Sequence, residues 1–132
     1  MNSQDIVVSA LCIWRENRGG RPQPDAMQSV MNVIQNRMKK TNESAYKVCT
    51  THLQFSSMTA IDPETSIWPI ETDPLWIKAL TIAQQASEGS LVDITIGATN
   101  YYAPAGMKDQ IAPNWATQMT YITTIAGQRF YK

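Results

Sequence analysis

Met27, Val30, Met31, Ile34 and Met38 fall at i, i+3, i+4, i+7 and i+11, one apolar stripe that only an α-helix turns to a single side. Pro24-Asp25 opens this helix and Val33 widens its stripe. Arg37 lies about 40° from Val33 around the helix axis. A guanidinium that close to an apolar face has to snorkel, or be neutralised by a carboxylate or by backbone carbonyls. A second helix precedes it. Asn2-Ser3 supplies its caps, Asp5 sits in its first turn, and Ile6, Val7, Ala10, Leu11, Ile13 and Trp14 repeat at helical spacing. Asn17-Arg18-Gly19-Gly20, with Pro22 beyond, should stop it, which puts Glu16 in the last turn.

Further along, a short helix is expected from Ser44 to about Cys49, and Gln54-Phe55-Ser56-Ser57 reads as loop or weak strand. Pro63, Pro69 and Pro74 make the next stretch an irregular surface excursion. Asp73-Pro74 then forms an N-cap with proline at the first helical position. Leu75, Trp76, Ala79, Leu80, Ala83 and Ala86 give another amphipathic helix, closed by Gly89. After Gly89 the period changes. Ala98 to Tyr102 reads as extended, Trp115 falls in a loop after Pro113, and Tyr121–Ile125, Ala126-Gly127 and Gln128–Tyr131 read as a hairpin. The class is mostly α (α+β), with a small antiparallel β element, and residues 1–132 form one domain.

Composition excludes several function classes. Eleven basic and eleven acidic side chains give no net charge, which argues against a nucleic-acid partner. No apolar run reaches the length of a membrane span. Ile6 to Trp14 lacks a basic flank and runs into Arg15-Glu16, so no signal peptide is expected. The single histidine, His52, makes a His-rich zinc site improbable, and no Gly-x-Ser-x-Gly elbow exists for a serine nucleophile. No metal and no cofactor are expected. Cys12 and Cys49 read as two buried free thiols, a disulfide being the alternative.

Glu16 is the acid that position singles out. The C-terminal end of a helix dipole disfavours a negative charge, and burial adds to that, so its carboxyl tends to stay protonated as a glycosidic general acid requires. Arg15, Arg18 and Arg21 oppose this if they point at it. On position alone, a solvated helix-end glutamate paired with an arginine is the simpler reading. Asn100, Tyr101, Tyr102 and Trp115 crowd the C-terminal part with side chains suited to stacking on sugars and bonding their hydroxyls. Strand alternation puts Asn100 and Tyr102 on one face and Thr99 and Tyr101 on the other. Cys12 with His52 would be a cysteine amidase or peptidase pair, although a buried inert thiol fits Cys12 better.

The run Ala10 to Gly20 (ALCIWRENRGG), followed by Met27 to Asn36-Arg37, resembles the opening of the SleB-type cell-wall hydrolases, the spore-cortex-lytic enzyme family. Gln54-Phe55-Ser56 is similar to that family's Gln-Phe-Ser element, and Gly97-Ala-Thr-Asn-Tyr-Tyr-Ala-Pro104 to its Gly-Ala-x-x-Tyr-Tyr-x-Pro element. Pro113-Asn-Trp115 and Ile125 to Tyr131 resemble its closing motifs. Gly20 stands where the family's opening motif has a second acid. Gln128 replaces its closing His, and Gly127 is displaced by one residue.

The resemblance implies a lysozyme-like single catalytic domain that cuts peptidoglycan glycan strands between N-acetylmuramic acid and N-acetylglucosamine. Glu16 would be the catalytic acid. Gln54, Phe55, Ser56, Asn100, Tyr102 and Trp115 would bind substrate, with Tyr102 or Asn100 across the main groove from Glu16. Because a lytic transglycosylase needs one carboxylate and a hydrolase a second, the transglycosylase is favoured over the muramidase. A compact lysin of this kind suggests a monomeric phage or prophage endolysin, reaching the wall through a holin or in a virion. The alternatives are the Cys12–His52 amidase and a non-catalytic glycan-binding wall protein.

Overall fold

The computed structural model describes residues 1–17, 23, 25–51, 54–58 and 63–132, without the side chains of Ser56, Pro63 and Glu64. Helix α1 (Ser3–Glu16) begins at a reciprocal cap. The Asn2 side-chain oxygen accepts from the Asp5 N–H at 2.8 Å, and the Asp5 carboxylate accepts from the Asn2 N–H at 3.1 Å. The other Asp5 oxygen accepts from the Tyr46 N–H at 2.9 Å, which ties α1 to the start of α3 (Ala45–Thr50). Helix α2 (Ala26–Thr41) carries the methionine stripe and runs beyond Met38. Helix α4 (Pro74–Glu88) starts at Asp73, whose carboxylate accepts both the Leu75 N–H at 2.9 Å and the Trp14 indole N–H at 3.0 Å, and Gly89 closes it at φ +78°.

α1 is the central helix. Ala10, Cys12 and Ile13 have no exposed surface and pack among Val30, Met31 and Ile34 of α2, Cys49 of α3, and Ala79 and Ala83 of α4. Three strands form one antiparallel sheet in the order β1-β3-β2: β1 (Asn100–Tyr102), β2 (Tyr121–Ile125) and β3 (Gln128–Tyr131). The hairpin stands where the sequence places it, and the whole is mostly α with a small antiparallel element. Val33, the residue that widens the α2 stripe, packs against Ala98 and Phe130 and so joins the sheet to the helices.

A polar stripe on α2, which the apolar periodicity does not reveal, sets where β1 begins. Gln28, Asn32 and Asn36 repeat every four residues, on one side of the helix. The Gln28 amide donates to the Val92 carbonyl at 2.9 Å. Asn32 donates to the same carbonyl at 3.1 Å and accepts from the Ile94 N–H at 3.0 Å. Asn36 donates to the Ala98 carbonyl at 2.9 Å. Asp93 rigidifies the loop from within, accepting from the Thr95 N–H at 2.8 Å, the Thr95 hydroxyl at 2.6 Å and the Gly97 N–H at 2.9 Å. Burial works against that carboxylate, yet the bonds from Thr95, Asn36 and Gly97 hold it below the usual range.

Candidate active site

Glu16 ends α1 half-exposed, and Ser57 donates its hydroxyl to Glu16 Oε1 at 3.0 Å. Ser57 is buried, in the short 3-10 turn Ser56–Met58, and Arg15 fixes that segment. The Arg15 guanidinium is buried at 5% exposure and donates to three backbone carbonyls: Ile67 at 3.0 Å, Ser57 at 3.2 Å and Thr65 at 3.0 Å. The Trp68 ring lies 4.7 Å from it. Arg15 therefore ties the carbonyls of Ser57, Thr65 and Ile67 together beside Glu16. Arg18 and Arg21 lie outside the described residues.

On the other side of Glu16 stands Tyr101 of β1. Burial first, then the nearby Glu16 charge, pushes the Tyr101 phenol well above its ordinary range, with Arg37 opposing. Tyr101 is consequently a protonated donor facing the acid. Its ring stacks on Phe130, centroids 5.4 Å apart. Beneath the pair, Arg37 Nε donates to the Thr99 carbonyl at 2.7 Å and Nη1 reaches the Gln54 carbonyl at 3.5 Å, while the guanidinium lies 4.8 Å from the centre of the Phe55 ring. Backbone carbonyls and an aromatic face thus neutralise Arg37, as its place beside the apolar stripe requires. Burial lowers its pKa, against the raising influence of Tyr101, Cys12, Cys49 and Glu16.

Arg37 grips both the strand that carries Tyr101 and the loop that carries Ser57. The result is one carboxyl group set beside the Ser57 and Tyr101 hydroxyls, at the end of a rigidly packed helix. Such a constellation can deliver a proton to a bound oxygen and take one back.

The cell wall hydrolase family matches residues 22–131. The chain belongs to the SleB-type cell wall hydrolase family. It acts on bacterial cell-wall peptidoglycan. No curated protein and no solved structure matches it. The matched span starts after Glu16, so the case for Glu16 rests on its geometry and on the opening motif. Among the described residues no helix is long and apolar enough to cross a membrane, and no group of three or more His, Cys, Asp or Glu could hold a metal ion.

Set against this site, the expected substrate residues divide into two groups. Phe55 is 2% exposed and serves as the floor under Arg37, while Gln54 is exposed and contributes its carbonyl. The side chain of Ser56 lies outside the described residues, and it is the neighbouring Ser57 that reaches Glu16. Asn100, Tyr102 and Trp115 belong to the outer face of the sheet. Tyr102 stacks on Tyr131 at 5.9 Å, and Trp115 meets both rings edge-on at 5.9 and 5.4 Å.

The choice of Tyr102 over Tyr101 as the tyrosine beside Glu16 is therefore reversed. Alternation correctly splits the strand, but Tyr101 shares its face with Phe130, which turns toward the helices. Glu16 also differs from expectation in that it is not among the residues lining the cleft between α1, α2 and α4. That cleft is lined by Trp14 and Asn17, which point away from Glu16 around the helix.

Cys12, the sulfur of the Cys12–His52 alternative, lies in the core cluster that also holds Cys49. Cys12 and Cys49 are free thiols with no exposed surface. Burial, then a hydrogen bond to Cys49 and its charge, pushes the Cys12 thiol well above its ordinary value, the reverse of what an activated nucleophile needs. His52 lies outside the described residues.

Proposed function

We propose that this cell wall hydrolase cleaves the glycan strand of peptidoglycan with Glu16 as its single acid and base, in the manner of a lytic transglycosylase. The observation that carries the reading is the Glu16 carboxyl at the helix end, flanked among the described residues by the Ser57 and Tyr101 hydroxyls. Glu16 gives its proton to the oxygen bridging C1 of N-acetylmuramic acid and O4 of N-acetylglucosamine. The C1–O4 bond breaks, the glucosamine leaves as an alcohol, and positive charge develops at C1 and the ring oxygen. The 6-hydroxyl of the same muramyl residue then attacks C1, and its proton passes to the Glu16 carboxylate. The acid is restored and the product ends in a 1,6-anhydro ring, with no water consumed.

Ser57 and Tyr101 hold the carboxyl in one rotamer through this cycle and donate to it while it is ionised. Asn100, Tyr102 and Trp115 on the outer face brace the strand that presents Tyr101. Mass spectrometry of muropeptides released from purified sacculi tests the reading. Anhydromuramyl ends are the expected product. Reducing muramyl ends would instead make the enzyme a muramidase, and cleaved amide bonds would remove the glycan reading altogether.

A further inference from the structure

A cleft of about 550 Å³ opens between the end of α1, the start of α2 and one side of α4. It is a separate place from the Ser57–Glu16–Tyr101 constellation, yet it adjoins it: Asn17, on its wall, is the residue after Glu16. Its volume falls in the range of sites that enclose a small ligand. Met27, Leu75 and Ile82 give it an apolar side suited to methyl groups. Its rim is unlike a core defect, because it carries Gln23, Gln85, Asp25 and Lys78, all exposed. Asp25 takes a left-handed backbone, φ +68°, and its side chain makes no cap bond to the helix it precedes, so the carboxylate is left to face outward.

Among the described residues the cleft has amides for peptide groups, an apolar side for methyls, one cation and one anion, which fits a short peptide that bears carboxylates and an amine. Peptidoglycan carries such a peptide on the lactyl group of the very sugar whose bond Glu16 is proposed to break. About three extended residues give such a stem a reach of roughly 10 Å from its sugar. We infer that the α1–α2–α4 cleft is a binding site for the peptide stem of peptidoglycan, with Lys78 taking a stem carboxylate and Asp25 the side-chain amine of its diamino acid. The choice of ligand rests on the glycan-cleavage reading and adds a second recognition element to it, one that selects substituted strands over bare ones.

The test uses the full chain and the synthetic tripeptide L-Ala-γ-D-Glu-L-Lys, free of any sugar. Isothermal titration should show binding to the wild type and to Glu16→Gln alike. Lys78→Glu should weaken it by about threefold or more, as should Asp25→Asn or acetylation of the peptide's lysine amine. Both positions are exposed, so the variants keep the fold. On sacculi with intact stems the two variants should raise KM and spare kcat; on strands stripped of stems by an amidase they should match the wild type. Absence of tripeptide binding, or binding indifferent to both variants and to acetylation, overturns the site. Tripeptide binding with these losses supports the site even if neither substrate is cut at its glycosidic bonds, a result that overturns the glycan reading alone.

Discussion

Replacing Arg37 with Met removes a side chain that contacts both walls of the site while keeping most of its apolar stem. The short bond from Nε to the Thr99 carbonyl, 2.7 Å, is charge-assisted and half-buried, and such bonds contribute about 1.5–3 kcal/mol. The contact with Gln54, at 3.5 Å, is at the limit of a hydrogen bond and adds little. The guanidinium over Phe55 contributes about 0.5–2 kcal/mol. The methionine regains roughly 1 kcal/mol by burying its thioether where the charge was desolvated. The net loss is about 1–4 kcal/mol, or roughly 4–15 °C in Tm for a domain of this size. Calorimetry or circular dichroism reads the melt. Specific activity per folded molecule, taken well below the melt, should fall much less than stability does. A melt within about 2 °C of wild type would show that the Thr99 and Phe55 contacts do not hold the strand and loop, and would refute the structural role.

Other expectations follow from the same contacts. Tyr101→Phe should reduce turnover on sacculi by about tenfold or more with little change in melt, whereas Tyr102→Phe should leave turnover within about twofold; the opposite ranking would restore Tyr102 as the partner of Glu16. Cys12→Ser should keep specific activity and cost some stability, and loss of lysis in a folded Cys12→Ser protein would reinstate the thiol mechanism. Folding raises the pKa of both Cys12 and Tyr101, from ordinary values of 9.0 and 10.0. The unfolded chain therefore binds fewer protons at high pH, and the stability these groups contribute is complete below about pH 9 and declines above it. A melt that holds constant from pH 8 to beyond about pH 10 would contradict that burial.

Much of the scaffold is legible in the sequence because helix periodicity and caps are local. The α2 stripe, the Asn2–Asp5 cap, the Asp73-Pro74 start and the Gly89 stop each need only a few residues to specify them. Glu16 is legible for the same reason, as a carboxyl at a helix end.

The rest of the site depends on contacts distant in sequence. Alternation tells that Tyr101 and Tyr102 face opposite ways, but which face turns inward depends on Phe130 and Val33, about thirty and seventy residues away. Arg15 looks like a neutralising partner for Glu16 until the carbonyls of Ser57, Thr65 and Ile67 claim it. Ser57 meets the acid because it sits in a 3-10 turn that brings its hydroxyl to the end of a helix 41 residues earlier in the chain, 3.0 Å from the carboxylate. The Gln28–Asn32–Asn36 stripe is a helical period written in amides, and hydrophobicity alone passes over it.

The central claim is that a single proton-transferring carboxyl, Glu16, does the chemistry. Glu16→Gln keeps the size of the side chain and can still bond Ser57, so it should fold as the wild type does. Lytic rate on purified sacculi, measured with the melt of the same preparation, tests the claim most directly. A loss of about 10²–10⁴-fold with an unchanged melt is predicted. Wild-type lysis by a correctly folded Glu16→Gln protein would contradict it.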